Sequence, residues 1–313
     1  MTSPVRSDHV TASGTPRPGG AGQLAHRTVS RIGFGAMQLE RLQGDRPAAV
    51  KLLRRCIELG VDHIDTAQFY GHGFVNEAIR EAVRSQDDVL VATKVGAEPD
   101  PEGPLPLRLA QRPEQLRAAV EDNLTTLKTE QLPLVNLRRT DTGPGLRAEG
   151  DQLVPLDDQL AELTALRDEG KIGALGLSSV SMDVLRHALP ADITCVQNAY
   201  SLLSRDDEDL LRLCQEKGIA WVPYFPLGSA FDGIPKVTDE PAVTAAAHET
   251  DATPAQIGLA WLLHHAPNIL LIPGTANPTH LETNMAAAEI TLSPATLAAL
   301  DAVPPRPADI ALH

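Results

Sequence analysis

A closed barrel of eight parallel strands with helices outside, the (β/α)8 or TIM barrel of the α/β class, is the single-domain fold this sequence predicts. Three observations lead to it. From residue 30 onward, eight short apolar runs alternate with longer segments of helical period. Gly60, Gly170 and Gly218 stand where helix C-caps before the next strand belong. Most apolar runs also end in a polar or aromatic residue: Asp65, Lys94, Arg138, Ser178, Gln197, Tyr224 and Thr275. In such a barrel the strand C-termini form the active-site face, so these residues would converge around one mouth. Eight units in about 250–280 residues suit a closed barrel better than two doubly wound domains.

The elements follow in order. Residues 1–27 read as a flexible N-terminal tail, because 2–23 (TSPVRSDHVTASGTPRPGGAGQ) is rich in Ser, Thr, Pro and Gly. The GGAG at 19–22 has no strand before it and no suitably spaced acid after it, so it is no dinucleotide fingerprint. The barrel is assigned to 28–313. Its strand runs are RIGFG (31–35), DHID (62–65), VLVATK (89–94) and PLVNLRR (133–139). GALGLSS (173–179), ITCVQN (193–198), IAWVPYF (219–225) and NILLIPGT (268–275) complete the set. Segments such as RPAAVKLLRRCIELG, QLRAAVEDNLTTL and LDDQLAELTALRDEG carry the helical period between them. The acidic RDDED at 205–209 suits a helix start, where carboxylates meet the positive dipole end.

Composition narrows the function classes. With 42% apolar residues in 313, the chain can bury a sizeable core, and no run approaches the roughly 18–20 apolar residues of a membrane helix. A net charge of −14 argues against a nucleic-acid binder, which needs a basic face. Cys56, Cys195 and Cys214 are scattered and odd in number, which fits reduced thiols in the cytoplasm rather than a disulfide framework. No basic segment leads into an apolar one at the N-terminus, so secretion is not expected. No Cys cluster or His-x-x-x-His pair supports a metal, and His264–His265 reads as a helix end. The expectation is a cytoplasmic monomer or weak homo-oligomer acting on a small molecule.

HIDTAQFYG (63–71) and the later Lys94 carry the chemistry. A tyrosine is a sluggish acid at neutral pH, with a reference pKa of about 10. A nearby ammonium favours the phenolate and so eases proton donation. A carboxylate bonded to that lysine fixes its position and keeps it charged. Asp65, Tyr70 and Lys94 together could therefore protonate a carbonyl oxygen while a hydride reaches the carbon. Read singly, each has a plain role as helix cap, core tyrosine or surface ion-pair lysine. Their common placement at strand ends favours the constellation.

GVDHIDTAQFYG, VATKVG, GLSS, CVQNAYS and IPGTANPTHLETNMAA, in that order, resemble the motifs of the aldo-keto reductases. The resemblance covers nearly all of the chain from about residue 28. It implies a (β/α)8 barrel that binds a nicotinamide cofactor without a Rossmann domain, Tyr70 as proton donor, and Asp65 and Lys94 as its tuning pair. VNLRR, VPYFPLG and NILLIPGT are most similar to a bacterial branch of pyridoxal reductases. One departure stands out: Arg138 occupies the strand position where the family commonly has histidine. Arginine stays protonated and is no proton relay, but its fixed donors can polarise a carbonyl oxygen.

The resemblance implies a cofactor site of Gly35, Ala36 and Met37 after the first strand, with Asp65, Ser178, Ser179 and Gln197 near the nicotinamide carboxamide. Tyr224 would stack on the nicotinamide ring, with Phe225 and Leu227 beside it. Pro273, Gly274, Thr275, His280 and Asn284 would hold the adenosine 2′-phosphate end. That end lies before a helix opened by Pro278, whose N-terminus suits a phosphate. NADPH/NADP+ is the expected cofactor by family habit, with NADH as the alternative, since 274–284 lacks Lys and Arg. Phe69, His72, Arg138 and Asn198 would meet the substrate, with Phe74 and Phe231 shaping the pocket. The loop 228–240 is short, which predicts an open site. The expected activity is reduction of an aldehyde or ketone, pyridoxal or another aromatic aldehyde first. A ketone intermediate of specialised metabolism or a slow, cofactor-holding regulatory subunit is the alternative.

Overall fold

The computed structural model describes residues 9–12, 14–102, 107–142, 146–228 and 233–306; Phe231 lies outside them. Strands β1 (Ala21–Leu24) and β2 (Arg27–Ser30) form an antiparallel hairpin. Then come β3 (Phe34–Gly35), β4 (His63–Asp65) and β5 (Leu90–Val95), and a second hairpin of β6 (Ala97–Pro99) and β7 (Leu107–Leu109). Strands β8 (Leu132–Arg138), β9 (Ile172–Ser178), β10 (Ile193–Gln197) and β11 (Ala220–Trp221) complete the order. β3, β4, β5, β8, β9, β10 and β11 pair side by side in one parallel sheet.

The eighth run forms no extended strand, a correction to the sequence reading. It closes the barrel by parallel bridges from Ile269 to Trp221 and from Leu271 to Ile32. Leu270 N donates to Trp221 O at 2.8 Å and Leu271 N to Arg31 O at 2.8 Å, so one short segment serves both neighbours. Pro273, which has no N–H to give, ends this ladder two residues on. The circle of strands is thus complete, as expected of a (β/α)8 barrel.

Helices α1 (Arg46–Glu58), α2 (Phe74–Ala82), α3 (Pro113–Leu127), α4 (Leu156–Asp168) and α5 (Met182–Ala188) follow successive strands. α6 (Glu208–Lys217) follows β10, α7 (Pro241–Thr250) and α8 (Pro254–His265) lie between β11 and the eighth segment, and α9 (Pro278–Ala286) and α10 (Pro294–Asp301) come after it. α1 shows why these segments are helical. Asp45 caps it by accepting from Ala48 N at 3.1 Å, and its buried residues Ala49, Leu52, Leu53, Cys56 and Ile57 make one stripe. Gly60, Gly170 and Gly218 all take left-handed backbone after their helices, as their spacing predicts. α6 opens behind RDDED, and His264–His265 ends α8.

Residues alternate across each barrel strand, so every second side chain points inward. The inward positions at the strand N-termini are apolar: Leu90, Ala92, Leu134, Ala174, Cys195, Ala220 and Leu270 form one buried cluster. Leu24 and Val29 of the first hairpin belong to that cluster, 2% and 1% exposed, and so plug the barrel floor. The stretch read as a loose tail is therefore partly built structure. Arg17 anchors it further, its Nε donating to the buried Asp62 at 2.8 Å. Asp62 also accepts from Ser30 N at 2.6 Å and Ser30 Oγ at 2.9 Å. Composition missed this because a few apolar residues and one arginine, not the Ser/Gly majority, hold the segment.

Candidate active site

Asp65 and Lys94 end the inward rows of β4 and β5, one strand apart. Both are buried, and the Lys94 ammonium bonds directly to Asp65 Oδ1. Lys94 Nζ also donates to Thr66 O at 3.0 Å and to the Tyr70 hydroxyl at 3.3 Å. Three ammonium donors thus meet three acceptors, which fixes the side chain. Burial opposes the charge on Lys94, but Asp65 and Tyr70 outweigh it and hold its pKa above the usual lysine value. Because a lysine only donates, the Tyr70 oxygen accepts, and its own proton remains available for a third group.

A buried polar web holds the Asp65–Tyr70 loop from behind. Thr66 Oγ1 donates to Asn76 Oδ1 at 2.8 Å, and Asn76 Nδ2 donates to Asn123 Oδ1 at 3.0 Å. Thr93 Oγ1 donates to the same Asn123 oxygen at 2.6 Å, linking α2, α3 and β5. In front, Gly71 N donates to Glu40 Oε1 at 2.7 Å, and Gln43 Nε2 to Gly71 O at 3.0 Å. Gly71, His72 and Gly73 all have positive φ, of 56°, 52° and 88°, so the chain reverses sharply just after Tyr70. Phe69 packs edge-on against the Tyr70 ring, with centroids 5.1 Å apart. None of Glu40, Gln43, Asn76 and Asn123 stands out in sequence, since uncharged or surface-type residues off the strand ends carry no motif.

A cavity of about 530 Å³ opens beside this group. Its walls include Gly35, Met37, Asp65, Tyr70, Lys94 and Gln197 on one side. Tyr224, Phe225, Leu227, Pro273, Gly274 and Asn284 continue the lining. Gly35 and Gly274 stand back to back: a Cβ on Gly274 would lie 2.4 Å from Gly35 O, and one on Gly35 would lie 2.5 Å from Ile272 O. Only glycine allows the first and eighth segments to meet so closely here. Gln197 Nε2 donates to Asp65 Oδ2 at 2.7 Å, while its Oε1 is buried without a partner among the described residues. The hydroxyls of Ser179 and Tyr224 lie 3.1 Å apart, and burial raises the Tyr224 pKa. Arg41, on the 3-10 turn Ala36–Leu42, also lines the cavity and makes no hydrogen bond or ion pair among the described residues.

Other expected site residues stand elsewhere. Asn198 is off the cavity wall: its amide accepts from Val180 N and donates to Val180 O and Asp207 Oδ2 at 2.8–3.1 Å, so it braces the starts of α5 and α6. Phe69 and Phe74 are likewise core residues, the first with Ala67 and Ala97, the second with α1 and α2. His72 is exposed and off the cavity wall. At α9, Asn277 Oδ1 accepts from Thr279 N and His280 N at 2.8 and 3.4 Å, and its carbonyl accepts from Leu281 N. The helix N-terminus is thus already capped. Thr275 is turned into the same loop through Asn277 N, at 3.0 Å, and His280 is exposed. Ala36, Ser178 and Ser179 are buried at the barrel mouth but not on the cavity wall. Arg138 ends the inward row of β8, in register with Ser178.

Comparison with known proteins points to one family. The model of the Aldo/keto reductase family matches residues 31–304. Pyridoxine 4-dehydrogenase of Escherichia coli is 39% identical over 289 residues, covering 90% of this chain and 96% of that protein. An uncharacterised oxidoreductase of Schizosaccharomyces pombe is 34% identical, covering 90% of this chain and 89% of its own. An aldo-keto reductase from Klebsiella pneumoniae, solved in complex with NADPH, superposes with a TM-score of 0.75 at 28% identity, covering 92% and 95% of the two chains. With a matching family model, relatives along nearly its whole length and a shared barrel, this chain belongs to the aldo/keto reductase family.

Proposed function

We propose that the chain reduces an aldehyde or ketone to the alcohol with NADPH, using Tyr70 as general acid. The observation that carries this is the Lys94–Tyr70 hydrogen bond: the ammonium can only donate, so the phenolic proton is free for a group in the cavity that Tyr70 lines. A carbonyl oxygen placed against Tyr70 receives that proton, and the Lys94 ammonium stabilises the oxygen anion left behind. Asp65 keeps Lys94 charged, and Gln197 keeps Asp65 in place.

The cleft fits a nicotinamide dinucleotide. The buried, unpartnered Gln197 Oε1 suits a carboxamide N–H, and Tyr224 offers an aromatic wall. When bound there, the reduced cofactor supplies hydride to the carbonyl carbon. Arg41 offers the positive charge that 274–284 lacks, and Asn284 lies in the same cleft. The NADPH complex of the Klebsiella relative supports the choice of the phosphorylated dinucleotide.

Pyridoxal or a similar aromatic aldehyde is the proposed substrate, supported by the likeness to the pyridoxine 4-dehydrogenase. The test is loss of reduced-nicotinamide absorbance with pyridoxal, benzaldehyde and acetophenone, with NADPH and NADH in parallel. Faster turnover of pyridoxal with NADPH supports the reading. Oxidation of neither cofactor by any carbonyl overturns it.

A further inference from the structure

The mouth of the barrel has two unlike halves. The cleft described above is walled by β3, β4, β5, β10, β11 and the eighth segment. The remaining arc belongs to β8 and β9, whose inward rows end in Arg138 and Ser178. On β8, Leu134 lies in the barrel interior, a Cβ on Gly176 of β9 would lie 2.0 Å from Asn136 Oδ1, and Arg138 continues that row.

Arg138 is half-buried and makes no side-chain hydrogen bond or ion pair among the described residues. Carboxylates of the mouth and its loops are engaged elsewhere. Asp65 holds Lys94, Asp141 holds Arg139 at 2.8 Å, and Asp207 accepts from Asn198. The charge on Arg138 reaches Tyr224 across the mouth. One uncompensated cation thus stands at the substrate side of the site, in a chain of net charge −14. Removing a guanidinium from water without an acceptor is costly. A planar fork of donors also matches a planar pair of oxygens, one of them anionic.

We propose that Arg138 selects carbonyl substrates bearing an anionic oxygen beside the carbonyl, either an ortho-phenolate aldehyde or a 2-oxo acid. Tyr70 bonds the carbonyl oxygen, and Arg138 takes the neighbouring anionic oxygen. This fixes the rotation of the carbonyl relative to the nicotinamide cleft. The inference rests on the carbonyl-reductase reading and goes further by naming the substrate class and the residue that reads it.

The experiment compares matched pairs: salicylaldehyde against benzaldehyde, with the hydroxyl ionised, and phenylglyoxylate against acetophenone. Wild type, Arg138→Met and Arg138→Lys are assayed with NADPH. In wild type, kcat/KM favours the anionic member of at least one pair by about 10- to 100-fold, the span of a charged hydrogen bond. That ratio collapses toward one in Arg138→Met and partly returns in Arg138→Lys. The preferred pair tells phenolate from carboxylate. A separate arm, free of turnover, measures salicylate and phenylacetate binding to the NADP+-loaded protein by quenching of intrinsic fluorescence. Weaker binding of the preferred anion to folded Arg138→Met supports the proposal. Equal ratios and equal binding in wild type and Arg138→Met overturn it. Should wild type reduce no carbonyl, the reductase reading fails, while the binding arm still decides the role of Arg138.

Discussion

The floor and the mouth of this barrel are built from the same inward rows of side chains, yet they have opposite chemistry. On β5 the row runs Leu90, Ala92, Lys94, and on β8 it runs Leu134, Asn136, Arg138. The floor is apolar and sealed by Leu24 and Val29. The mouth holds a buried ion pair, a phenol and an amide in mutual hydrogen bonds. Between them lie His63 and Asn136, buried with no partner among the described residues for either ring nitrogen or for the amide. A side chain two residues further along a strand therefore passes from holding the fold together to meeting a substrate. Changes at the floor should cost stability alone, whereas changes at the mouth should also cost turnover.

The largest effect on turnover is expected at Lys94. Lys94→Met removes the stabilising charge beside Tyr70 and should lower kcat by about 10²–10⁴-fold in the reductase assay. It also strands Asp65 as a buried charge, so urea denaturation should show a loss of about 3–5 kcal/mol. A variant with normal kcat would break the contrast at its centre. At the floor, Arg17→Ala leaves Asp62 without its cation and should also cost about 3–5 kcal/mol. Turnover per folded molecule should stay at the wild-type level, and a fall in kcat would show that the floor reaches the mouth.

His63 sharpens the comparison through pH. Burial holds its pKa down at about 4, against the opposing pull of Asp62 and Asp65. Above pH 6.5 it is neutral in both folded and unfolded chains and adds no pH dependence. As pH falls below 6.5, the unfolded chain takes up a proton that the native imidazole refuses. Stability should therefore drop by about 2 kcal/mol between pH 7 and pH 5. Denaturant melts at the two pH values should show this drop in wild type and a smaller one in His63→Leu. The smallest effect is expected outside the barrel, where Arg212 and Asp209 pair at 65% and 77% exposure. Asp209→Asn should change stability by under about 1 kcal/mol.

Much of this organisation is legible in the sequence, because barrel strands are short apolar runs and their C-terminal residues share one face. Asp65 and Lys94 are legible on that ground, and Tyr70 from the short loop that follows Asp65. Asn198 follows Gln197 directly, so alternation turns it off the inward row, where its amide braces α5 and α6, a placement that no motif signals. The N-terminal segment looks loose by composition, but two apolar side chains and one arginine suffice to anchor it. Glu40 and Arg41 were invisible because their roles come from a 3-10 turn that brings them to Gly71 and the cleft. Such long-range neighbours have no local pattern.

The most direct test of the account is the single-turnover rate of Tyr70→Phe with pyridoxal, with NADPH binding measured on the same preparation. The rate of nicotinamide oxidation should fall by at least about 100-fold while the cofactor still binds. Undiminished oxidation without the phenolic hydroxyl would contradict it, because another group would then be supplying the proton.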